Sequence, residues 1–221
     1  MKMIARVFFT IVSFILMSYA NATPTTTFPS GNTKNWNTYQ VEIRGHIVRF
    51  RAPPYESSDH PEFKVPSKID VENAKTFHQN NRGPNLLWQH WDYRKNRFVT
   101  NYGTLDALIR VNRSEVPLSD MEDLLNAISR NHDLNHRADE AETGRSVFFD
   151  PIVHTETCEI GGKRALLVEY KVAKGIYYVP LDSELYLSVS FDADGVTEPG
   201  LREDAQDAAN QMLHSIRIDE K

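Results

Sequence analysis

The chain has 221 residues, with 25 Lys and Arg set against 30 Asp and Glu for a net charge of −5. That length suits one domain able to bury a core without staples, and the negative balance, with no Lys/Arg block to offset it, argues against nucleic acid as a ligand. One cysteine, Cys158, excludes an internal disulfide and reads as a small apolar residue in a strand.

Residues 1–22 have the pattern of a cleavable export signal. Lys2 and Arg6 supply the positive start, Val7 to Met17 an uncharged apolar stretch, and Ala20-Asn21-Ala22 the small-residue cleavage site. The apolar stretch is shorter than the roughly 20 residues a spanning helix needs. The expected location is periplasmic or secreted, with membrane contact only during export. Residues 23–38, rich in Thr, Pro, Asn and Ser, read as a flexible lead. Residues 39–221 read as a single α+β domain.

Within that domain, Tyr39, Val41 and Ile43 alternate with polar residues, Arg44-Gly45 offers a turn, and Ile47, Val48 and Phe50 resume. This predicts a hairpin, stopped by Pro53-Pro54. A short helix is expected around Asp70–Asn80 and a strand over Leu86–Tyr93. Leu105, Ala107, Ile109 and Val111 predict a half-buried strand over 104–113. Ser119 with Glu122 forms the S-x-x-E pattern of a capping box. The helix it opens carries the stripe Met121, Leu124, Leu125 and Ile128, and the polar stretch Asn131–Arg145 reads as a solvated loop or fraying end.

From Val147 the pattern is β. Ile152–Ile160 and Lys163–Val172 flank Gly161-Gly162, a strong hairpin signal. Strands over Ile176–Leu181 and Glu184–Phe191 follow. A helix over Leu201–His214 buries Leu201, Ala205, Ala208, Ala209, Met212 and Leu213, and a short strand Ser215–Ile218 closes the chain. Strand runs broken by isolated helices predict α+β with a mostly antiparallel sheet flanked by helices.

The Gly161-Gly162 hairpin, the Tyr-bearing strands after it, the terminal helix, the closing Ser-Ile-Arg-Ile at 215–218 and the early Ile47–Pro54 strand together resemble the Mog1/PsbP-like superfamily. The resemblance covers about half the chain. It implies an antiparallel sandwich with flanking helices and a binding module among photosystem accessory proteins, small exported bacterial proteins and chaperones of secreted toxins. It supplies no catalytic residues.

His132 and His136 stand four residues apart, the spacing of a zinc pair on a helix, but Asp133 occupies the place where a zincin has Glu and no third ligand is marked. The Asp192-Ala193-Asp194-Gly195 segment fails as a calcium loop, because Ser190 and Leu201 stand where acidic ligands belong. There is no G-x-S-x-G, no Walker loop and no G-x-G-x-x-G. No catalytic, metal or cofactor residue is therefore assigned. The densest aromatic segment holds Trp88, Trp91 and Tyr93. It reads either as core or as the anchor of a protein interface, since Trp and Tyr dominate binding hot spots.

The expected function is an exported protein-binding module, with a periplasmic immunity protein that blocks a toxin as one form. The net negative charge would steer a basic partner. The alternatives are a hydrolase with a site assembled from scattered Asp, Glu and His, or a small-ligand carrier.

Overall fold

The first hairpin shows how local sequence sets the frame. β1 (Asn37–Ile43) and β2 (His46–Ala52) pair antiparallel across Arg44-Gly45. Both turn residues have positive φ, 38° and 77°, as the tight two-residue turn of a twisted hairpin requires. Arg44 holds that unfavourable backbone while its guanidinium reaches Glu72 and Glu184, each at 2.7 Å. The computed structural model describes residues 33–55, 64–73, 75–77, 81–93, 103–173, 175–193 and 195–221. The export segment 1–22, residues 23–32 of the lead and Asp194 lie outside them. Thr33–Asn35 form one 3-10 turn, and Trp36 is buried in the core, so ordered structure begins before residue 39.

Among the described residues the strands form two sheets, and the molecule is an α+β sandwich with mostly antiparallel pairing. The first sheet adds β3 (Lys68–Ile69), parallel to β1, and β10 (Arg217–Glu220), antiparallel to β2, in the order β10-β2-β1-β3. The second sheet contains β4 (Arg82–Asp92), β5 (Thr104–Arg113), β6 (Ile152–Ile160), β7 (Lys163–Tyr170), β8 (Ile176–Pro180) and β9 (Leu185–Asp192). Its order is β4-β5-β9-β8-β7-β6.

Alternation along the strands divides the apolar residues between two cores. Val41, Ile43, Val48 and Phe50 of the first sheet meet Leu105, Ala107, Ile109 and Val111 of β5 and Leu185, Leu187 and Val189 of β9. A helix, α2 (Pro199–Ser215), joins this core through Ala205, Ala208 and Met212. On the opposite, outer face of the second sheet lies a longer helix, α1 (Met121–Thr143). Its Leu124, Ala127 and Ile128 pack on Leu166, Val168, Tyr170, Tyr178 and Tyr186.

The structure departs from the sequence reading at several places, and β4 starts four residues earlier than expected, at Arg82. Around Asp70–Asn80 the described residues form no helix. The Asp70 and Asn73 side chains instead accept hydrogen bonds from the backbone N–H groups of Glu72 and Lys75, at 3.1 and 3.0 Å. Such local side-chain bonds compete with helix hydrogen bonds. The cap of α1 is Asp120, whose carboxylate accepts from the N–H groups of Glu122 and Asp123, and Ser119 stands one residue outside. That helix continues to Thr143, through the stretch expected to be a loop, and ends at Gly144 in the left-handed region with its N–H bonded to the Glu140 carbonyl. The final strand runs over Arg217–Glu220, because Ser215 still belongs to α2, its hydroxyl donating to the Met212 carbonyl.

Candidate functional site

β4 and β5 carry a row of outer-face residues that α1 leaves open. Alternation puts Leu105, Ala107, Ile109 and Val111 of β5 inward, so Leu108, Arg110 and Asn112 face out. Register then fixes their neighbours. Trp88 of β4 pairs with Leu108, Asn85 with Arg110 and Arg82 with Asn112. On the other side Leu108 pairs with Ser190, Arg110 with Ser188 and Asn112 with Tyr186 of β9. Where α1 rises from this face it leaves a cleft of about 280 Å³. Leu108, Arg110 and Ser188 contribute to its floor, Ile128 and Asn131 of α1 to its wall, and Tyr170, Tyr178 and Tyr186 to its inner end.

Hydrogen bonds hold most of these side chains. Asn131 is buried; its amide donates to the Arg113 carbonyl at 3.1 Å and to the Tyr186 hydroxyl at 2.5 Å. Tyr170 and Tyr178 share a hydroxyl–hydroxyl bond of 2.9 Å. Asn112 donates to the Ser188 hydroxyl at 3.0 Å. Burial pushes the Tyr178 and Tyr186 phenols well above their ordinary range, so they remain neutral donors and acceptors. His132 is engaged through Nε2 with the Asp150 carbonyl at 2.8 Å.

Arg110 is the exception. Its Nε donates to Asn85 Oδ1 at 2.8 Å, and among the described residues neither terminal nitrogen has a hydrogen-bond partner and no carboxylate lies within ion-pair distance. Burial, and secondarily the charge of nearby Arg82, pull its pKa down to about 10. The guanidinium still carries its charge at neutral pH. A more polar hollow adjoins the cleft at Arg82 and Arg110 and opens towards Asp139 and Glu142.

The aromatic trio from the sequence separates. Trp88 is 42% exposed on the outer face beside Leu108, within the open row. Trp91 is fully buried, its Nε1 donating to the Pro54 carbonyl at 3.3 Å and its ring edge-on to Tyr55. Tyr93 is also buried in the core. The last two are core residues, and Trp88 is the exposed one of the three. His132 and His136 do share a helix face, as their spacing predicts, but that face lies against the ring of Phe149, at 4.8 and 5.2 Å between centroids. Among the described residues no group of three or more His, Cys, Asp or Glu is placed to hold a metal ion, and no helix is long and apolar enough to cross a membrane. Cys158 is a free, half-buried thiol on β6, its pKa raised chiefly by burial.

No protein-family model matches the sequence, and no curated protein matches it. The class defined by the structure is that of an α+β sandwich with a half-covered outer sheet face.

Proposed function

We propose that this chain is an exported protein-binding module whose partner docks on the outer face of β4 and β5 that α1 leaves open, with the partly exposed Trp88 as its anchor. The observation that carries this reading is the exposure of Trp88 where Trp36 and Trp91 are buried. An exposed indole beside Leu108 offers a large apolar contact area at small entropic cost, the character of an interface hot spot. The export segment supports a periplasmic or secreted setting, and a periplasmic immunity protein is one form this role takes.

The test is capture from the native extract by residues 23–221, repeated with Trp88→Ala and with Trp91→Ala. Trp88→Ala should keep the stability within about 1 kcal/mol of the parent and lose a stoichiometric partner that the parent captures. Trp91→Ala should cost about 3–5 kcal/mol in a urea titration, as expected for a buried ring. A partner retained in full by Trp88→Ala overturns the assignment of the anchor.

A further inference from the structure

We propose that the cleft between α1 and the second sheet is a binding site for a small organic carboxylate, held by Arg110 on its floor. The cleft borders the face that carries Trp88 and shares Leu108 with it, but carboxylate binding does not depend on a docked protein.

Three features of the cleft point to this ligand. The first is an uncompensated cation. Arg110 is held by Asn85 through Nε, which leaves the two terminal nitrogens without partners among the described residues. A half-buried guanidinium without a counter-ion is a standing cost to the fold, and a neutral side chain on the same strand position would avoid it. A bound anion relieves that cost, so part of its affinity comes from the protein's own strain. Planar N–H groups matched to two carboxylate oxygens give a strong, oriented contact.

The second feature is the charge balance. Arg110 and Arg82 line the cleft together with Asp150, whose carboxylate oxygens accept from the backbone N–H groups of Val172 and Ala173 at 2.9 and 2.7 Å. Arg82 is engaged elsewhere and Asp150 is held by backbone, so Arg110 is left as one guanidinium, which matches a ligand with a single negative charge better than a phosphate dianion. The third is the composition of the rest. Leu108, Ile128 and Ile176 are apolar, and the neutral phenols of Tyr170 and Tyr178, bonded to each other, leave one hydroxyl donor without charge. A volume of about 280 Å³ lies at the small end of ligand pockets, which run to roughly 300–1,000 Å³. An acid group on a small apolar or aromatic body fits that description. Both a free acid and the C-terminal residue of a peptide have this chemistry.

The experiment is calorimetric titration of residues 23–221 with benzoate and with N-acetylphenylalanine, alongside benzamide, N-acetylphenylalaninamide and inorganic phosphate. The expected result is saturable one-to-one binding of the carboxylates, at least about tenfold weaker binding of the matching amides, and an upward shift of the thermal midpoint by the carboxylates. Tighter binding of N-acetylphenylalanine assigns the natural ligand to a peptide terminus, and tighter binding of benzoate to a free acid; both support the carboxylate site. Arg110→Met should unfold at the same or a higher temperature than the parent and lose the ligand-induced shift. Arg110→Lys, which keeps the charge without the planar fork, should retain part of it. Absence of saturable carboxylate binding to the folded parent overturns the proposal, as does equal binding of acid and amide, undiminished binding by Arg110→Met, or a preference for phosphate. The comparison of acid with amide on the parent stands even where a substitution fails to fold.

Discussion

His46 starts β2 with only 7% of its surface exposed. Its Nε2 lies 3.9 Å from the Asp182 carboxylate. Burial lowers its pKa first and the charge of Lys163 next; Asp182 and Glu220 oppose that shift, and Arg44 adds to it. The imidazole is thus held neutral in the fold, whereas in the unfolded chain it takes up a proton near its ordinary value of about 6.5. Below that pH the unfolded state binds more protons than the native state. The stability tied to His46 is present above about pH 6.5 and is lost as pH falls towards its lowered native pKa. His46→Asn should therefore flatten the decline in unfolding free energy between about pH 7 and pH 5. Urea titrations across that range check it, and a decline as steep as the parent's would sink the assignment.

At the scale of the element, the cap of α1 separates two readings of one stretch. Asp120 accepts two backbone N–H groups, while Ser119 uses its own N–H to donate to Asp123 at 3.0 Å. Asp120→Ala should lose about 1 kcal/mol, and Ser119→Ala only a few tenths. Denaturant midpoints of the two variants decide it, and equal losses would restore Ser119 as the cap. Two neighbouring residues both suited to capping are not distinguishable by spacing alone. The far end of α1 was hidden for another reason. Asn131, His132 and His136 look solvated, but their partners are Tyr186, the Asp150 carbonyl and Phe149, all distant in sequence or supplied by the fold. The hairpins at Arg44-Gly45 and Gly161-Gly162 were legible because the turn residues themselves adopt the positive φ the turn needs. Arg110 was not. Alternation marks its strand and the strand's buried face, but the absence of a counter-ion among the described residues depends on β4, β9 and α1, which no local pattern reports.

For the whole molecule, the first sheet joins the two ends of the described chain. β1 and β2 come from its start and β10 from its end, with Ile218 buried and Lys221 Nζ 2.7 Å from Glu42. Removing residues 217–221 takes away a strand of the sheet and the burial of Ile218, a loss of about 2 kcal/mol or more. Lys221 and Glu42 are partly exposed, and such pairs contribute little and are screened. The loss should then persist at high salt. Urea titrations of residues 23–216 and 23–221, at low and high salt, check this; a deficit that vanishes in salt would assign the effect to the ion pair.

That joining of ends also sets the order in which the molecule can assemble. The Ser215 hydroxyl accepts from the Arg51 N–H across a separation of 164 residues. A chain emerging from the ribosome N-terminus first displays the apolar sides of β1 and β2, with Val48 and Phe50, long before α2 and β10 exist to cover them. Contacts so remote in sequence form slowly. The frame of the first sheet is therefore completed only when the last helix and strand have been made.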